Sequence, residues 1–136
     1  MKRRLLYFIT IFMTTTVCSA NEYHEMLREC DKSADTEQTS ASSTTKMIQS
    51  INKQKDCHKA VVYKIIDTEY TKNKQQMKSE FDNFIKNSHD ITYSMQYPDK
   101  CIPDCGTIVG LNAANANLEI IKTYVHQLLY TISEKH

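Results

Sequence analysis

Between Lys46 and Ser88 the chain runs for 43 residues without a glycine or a proline. Along that stretch Met47, Ile51, His58, Val61, Val62, Ile65, Ile66, Tyr70, Met77, Phe81, Phe84 and Ile85 mark one broad face, with Lys, Gln, Asp, Glu and Asn elsewhere. The period is that of a helix. One straight helix of this length would reach roughly 65 Å, whereas a compact domain of this size is only ~35 to 40 Å across. The pattern therefore predicts a break or hairpin in the polar stretch 71–76, with Asn73 the best local candidate. An unbroken rod is the alternative, and it would favour a structural or assembly role.

The remaining segments take their reading from this one. Leu111, Ala114, Leu118, Ile121, Val125, Leu128 and Ile132 recur in alternating steps of three and four, and Ile120, Tyr124 and Leu129 widen the stripe. That width suits a core helix packing within the molecule better than a coiled-coil seam. Near the start, Tyr23, Met26, Leu27 and Cys30 predict a short amphipathic helix over 22–32. Residues 33–45 turn to Ser, Thr, Gln and Asp, with Ala34 and Ala41 the only apolar members, and are expected to form a long flexible linker. After Asn87 the helical signal weakens. Tyr93, Met95 and Tyr97 alternate with polar residues, and Pro98 stops any helix, so a loop with some extended character is expected there.

The first twenty residues have the pattern of an export signal. Lys2, Arg3 and Arg4 form a basic head, Leu5 to Val17 an apolar stretch, and Cys18-Ser19-Ala20 a small-residue cleavage site. Lipid attachment at Cys18 is disfavoured by Val17 and Thr15, which stand where such sites carry a small and an aliphatic residue. The expectation is a signal peptide over 1–20 and a single exported helical domain over 21–136, periplasmic or secreted, with no stable membrane insertion once the signal is gone. Of 17 basic and 16 acidic residues, three basic and no acidic ones fall in the signal, which leaves 14 against 16 and a net charge of −2. A nucleic-acid partner is not expected, because no basic stripe exists.

Four cysteines remain after the signal: Cys30, Cys57, Cys101 and Cys105. An even number in an oxidising compartment predicts two disulfides, and three pairings are possible. Cys30 with Cys57 and Cys101 with Cys105 is the preferred set, since the first bridge would pin the N-terminal segment to the next helix and the second would close the proline-containing loop over 98–108. The second bridge needs a tight, non-helical turn, because side chains four apart on a helix are ~5 to 6 Å apart at Cβ. Pairing of Cys57 with Cys101 is the main competitor. The fold class expected is all-α: a small disulfide-stapled bundle of three to four helices with a long Ser/Thr-rich linker, organised around the cysteine loop.

No catalytic constellation emerges from the residues. His24, His58, His89, His126 and His136 share no metal-ligand spacing, and a zinc site from Cys57, His58, Cys101 and Cys105 competes poorly with disulfides after export. Cys101 and Cys105 lack the two-residue spacing of thioredoxin-like redox motifs. Asp67 with Glu69, and Glu80 with Asp82, are two apart and on a helix do not face one another. The serines cluster in the linker without a base beside them. Gly106-Thr107-Ile108-Val109-Gly110 lacks the lysine of a phosphate loop, and its apolar middle suits close packing or a turn before the last helix. Neither an enzyme nor a cofactor is expected.

The order of features nevertheless resembles a family. Cys30 is followed by Asp31-Lys32-Ser33-Ala34-Asp35, Cys57 opens a long helix with Asp67 and Tyr70, Phe84-Ile85 precede Cys101, and Gly106-Thr107-Ile108 leads to a final helix containing Leu118-Glu119. This order is similar to that of the N-terminal domain of LprI-type lysozyme inhibitors. The resemblance spans most of residues 23–129. Cys30 and Cys57 are further apart than the family's first two cysteines, Phe84 stands where the family usually has tryptophan, and Cys105 is additional. The resemblance implies an exported, disulfide-bridged helical domain that binds and inhibits a lysozyme and so protects peptidoglycan. The alternative is a non-enzymatic interaction module of an envelope assembly or secretion complex. For the inhibitor the expected contact residues are Asp99, Lys100, Asp104 and Thr107 in the rigid loop, with Tyr93 and Tyr97 as aromatic anchors; the interaction module would bind through the long helix and the Ser/Thr linker, and a monomer is preferred over an oligomer.

Overall fold

The computed structural model describes residues 20–96 and 106–134. They form four helices in chain order: α1 (Ala20–Thr39), α2 (Thr44–Glu69), α3 (Lys74–Gln96) and α4 (Gly106–Ser133). The long breaker-free stretch does divide, and it does so at Asn73. The Tyr70 N–H still donates to the Ile66 carbonyl, the Asn73 N–H closes a turn onto Tyr70, and the Met77 N–H donates to the Asn73 carbonyl to start α3.

Two expectations are corrected. Residues 33–39 belong to α1, and the connection to α2 is only the short stretch 40–43 rather than a linker over 33–45. Hydroxyls that would suit a loop instead fold back on the helix: Thr36 Oγ1 donates to the Lys32 carbonyl at 3.1 Å and Thr39 Oγ1 to the Asp35 carbonyl at 2.7 Å. Ala34, nearly isolated in its polar surroundings, is the residue that packs, at 4% exposure. Ser43 then caps α2, its side chain accepting from the Lys46 N–H. The second correction concerns 88–96, which continue α3 instead of forming an extended loop. There Thr92 is buried and satisfies its hydroxyl on the Ser88 carbonyl at 2.7 Å, which lets a polar residue face inward. Residues 106–110 are likewise helical, as the first turns of α4.

Successive helices run antiparallel, which makes α2 and α4 parallel to each other. These two form the centre. Ile51 of α2 clusters with Ala114 and Leu118 of α4, and further along Val61, Val62, Ile65 and Ile66 cluster with Val125, Leu128, Leu129 and Ile132. The small residues Ala113 and Ala114 are buried where the pair begins. Tyr23 and Leu27 bring α1 into the core and Phe81 brings α3. On the two flanks, the backbones of α1 and α3 do not approach each other among the described residues. Each large aliphatic side chain removed from water here contributes about 1.5–3 kcal/mol to folding. Phe81 adds edge-on contact with Tyr63 at 5.5 Å between ring centres and a tilted contact with Tyr124 at 4.9 Å.

Candidate functional site

The two flanks differ in chemistry. The α1–α2 seam is covalent and polar. Cys30 and Cys57 form a disulfide across it, the preferred first pairing, with Cα atoms 5.7 Å apart. Cys57 sits in the middle of α2 and not at the opening of a helix. One turn away, Asp31 Oδ1 receives three groups: Gln54 Nε2 at 2.6 Å, His58 Nε2 at 2.9 Å and Lys122 Nζ of α4 at 3.2 Å. Burial pushes the Asp31 carboxyl up, but these donors together outweigh it and hold the group below its ordinary value. Burial also dominates at His58, whose pKa is lowered despite Asp31, so at neutral pH the ring is uncharged and donates from Nε2. Its Nδ1 is buried without a hydrogen-bond partner among the described residues. The His58 ring is only 1% exposed while Asp31 stays partly open to solvent, and the cluster clamps three helices together.

The α3–α4 flank is different. Every large hydrophobic side chain that is exposed among the described residues lies on these two helices: Ile91, Tyr93, Met95, Ile108 and Tyr130. On α3 the positions 84, 88, 91 and 95 share one stripe, and on α4 the positions 108, 112, 119, 123 and 130 share another. Between the stripes lies an open groove of about 450 Å³ lined by Phe84, Ile120 and Tyr124, with Glu119, Thr123 and Gln127 at its edge. Phe84 and Tyr124 form its aromatic floor, their ring centres 5.0 Å apart. Burial raises the Tyr124 phenol, with Tyr70 and Glu80 adding to the effect. Antiparallel pairing brings the C-terminal turns of α3 to the same end of the bundle as Ile108.

The contact residues expected from the sequence fall mostly elsewhere. Tyr93 is 44% exposed, but it stacks on His89 at 6.0 Å and lies on the other side of α3 from Ile91 and Met95. Thr107 belongs to the first turn of α4. Tyr97, Asp99, Lys100, Cys101, Asp104 and Cys105 lie outside the described residues. Sequence reasoning missed Ile91, Met95 and Ile108 because it placed the first two in or beside a loop and the third before the helix. A helix continued past Asn87 would have revealed the stripe, since Phe84, Ser88, Ile91 and Met95 keep the four-three-four spacing.

Comparison with known proteins yields no matching family model, no matching curated protein and no matching solved structure.

Proposed function

We propose that this chain is an exported protein-binding module that uses its α3–α4 face, and that its target is a lysozyme. The observation that carries the binding reading is that the exposed large hydrophobics among the described residues all lie on α3 and α4. Four of them, Ile91, Met95, Ile108 and Tyr130, lie along the stripes beside the groove, where a partner's apolar side chain would be desolvated against Phe84, Ile120 and Tyr124. The α1–α2 disulfide and the Asp31 cluster fix the opposite flank onto the α2–α4 centre, which leaves the α3–α4 face as the one open to a partner. The resemblance to LprI-type inhibitors supports a lysozyme as the target, and the slight negative charge of residues 21–136 agrees with a basic one.

A second reading, an interaction module of an envelope assembly, is favoured by the shape of the face. Two parallel rows of residues flanking a shallow apolar groove suit a partner helix, whereas occlusion of an enzyme cleft suits a protruding loop. One pair of assays separates the two. The oxidised protein is tested for slowing of peptidoglycan lysis by a panel of lysozymes, alongside Ile91→Asp/Met95→Asp. Slowed lysis that the double substitution abolishes supports inhibition through this face. Unchanged lysis at a large molar excess removes the lysozyme reading. The assembly reading then rests on photocrosslinking from position 91 to one envelope partner, and it fails if no partner is captured there.

A further inference from the structure

The histidines share no ligand spacing in sequence, yet the fold brings two of them together. His24 of α1 and His126 of α4 are 102 positions apart in the chain, and their rings approach to 6.4 Å between centres with planes inclined by 31°. Both side chains are exposed to solvent. We propose that this pair is a binding site for a borderline divalent transition-metal ion of the zinc, nickel or copper class.

The distance is the first argument. A metal bound ~2.0–2.1 Å from one nitrogen of each imidazole lies ~3.2 Å from each ring centre, so the two centres are at most ~6.4 Å apart and about 5.2 Å at a tetrahedral angle. The observed separation is at the open end of that range. Rotation of either exposed ring by about 1 Å closes the geometry.

The second argument is that the backbone beneath each ring is already fixed. Tyr23, the neighbour of His24, is fully buried and its hydroxyl donates to Glu69 Oε1 at 3.1 Å. Val125, the neighbour of His126, is also fully buried, and Leu27 and Leu129 anchor the next turns. Only side-chain torsions remain to be ordered when the ion binds, so the site is largely pre-organised. Imidazole nitrogens on two helices are suited to ions of this class and not to magnesium or calcium, which require oxygen donors.

Among the described residues no third His, Cys, Asp or Glu completes the set. The remaining coordination positions are open to water or to a donor from outside the described residues. Bound there, it ties the first turns of α1 to α4, a junction that the Cys30–Cys57 bridge does not reach.

The test is isothermal titration of the full oxidised chain with zinc chloride at neutral pH, repeated with magnesium chloride. One saturable zinc site and no magnesium binding are expected. His24→Ala and His126→Ala, both at exposed positions, are each expected to weaken zinc binding by about tenfold or more, equivalent to ~1.4 kcal/mol or more. His89→Ala is expected to leave it unchanged. Nickel added to the labelled protein should broaden the ring resonances of His24 and His126 before those of the other histidines. Absence of saturable zinc binding, or equal affinity in the His24→Ala/His126→Ala double variant, overturns the proposal.

Discussion

His58 Nε2 lies 2.9 Å from Asp31 Oδ1, joining two helices at a point where the imidazole is 1% exposed. Burial of this ring makes stability depend on acid. Because burial lowers the His58 pKa in the fold, the unfolded chain takes up this proton first as pH falls through about 6.5. The contribution of His58 is thus present above that value and is lost as pH falls toward the lower folded value. Asp31, held below its ordinary value, adds a second loss in the same direction below about pH 3.9. Urea midpoints from neutral pH down to about pH 5 should fall for the parent and flatten for His58→Leu. An equally steep limb in His58→Leu would assign the effect to other groups.

Reduction of the Cys30–Cys57 bridge should cost about 3–4 kcal/mol, from the closure entropy of a loop spanning 27 positions. Chemical denaturation of the oxidised protein and of Cys30→Ala/Cys57→Ala measures it. A difference under about 1 kcal/mol would mean that α1 stays docked in the unfolded ensemble or that the polar seam suffices without the bridge.

Phe81→Ala should be the most damaging single change on α3. The ring is fully buried between Tyr63 and Tyr124, and removing it is expected to cost about 3–5 kcal/mol, with a lowered thermal midpoint as the readout. Ser43→Ala, which removes only the cap of α2, should cost about 1 kcal/mol.

Tyr63 donates its hydroxyl to Asp82 across the α2–α3 corner. Burial first, then this bond and the Asp82 charge, push the phenol up to about 12. Since the folded value exceeds the unfolded one of about 10, the associated stability is present below pH 10 and lost as pH rises through the folded value. In a phenolate absorbance titration, Asp82→Asn should bring one tyrosine back toward the ordinary range.

Much of the bundle was legible in the chain, because burial was written in long helical periods. Ile51, Val61, Val62, Ile65, Ile66 and Phe81, and on α4 Leu118, Ile121, Val125 and Ile132, all lie in the core as their spacing implied. Composition misled where polar residues satisfied themselves locally. The Ser/Thr-rich part of α1 bonds to its own carbonyls, and Thr92 does the same inside α3, so neither stretch behaves as the loop its residue types suggest. The candidate site was harder to see for a geometric reason. The groove is shared by Phe84 and Tyr124, and the two histidines meet across α1 and α4; each of these contacts depends on the register of helices distant in sequence, which local pattern does not contain.

Among the described residues the backbones of α1 and α3 do not approach each other, so each flank rests separately on the α2–α4 centre and two routes of opening are expected. One flank can detach while the other stays on the α2–α4 centre. The disulfide closes only the α1 route. Among the described residues α3 is retained by side-chain packing and polar contacts alone, with Lys78 on Asp67 at 2.7 Å among them. The flank that carries the exposed apolar stripe is therefore the one held without a disulfide among the described residues, and a partner that wedges under α3 works there against packing and polar contacts.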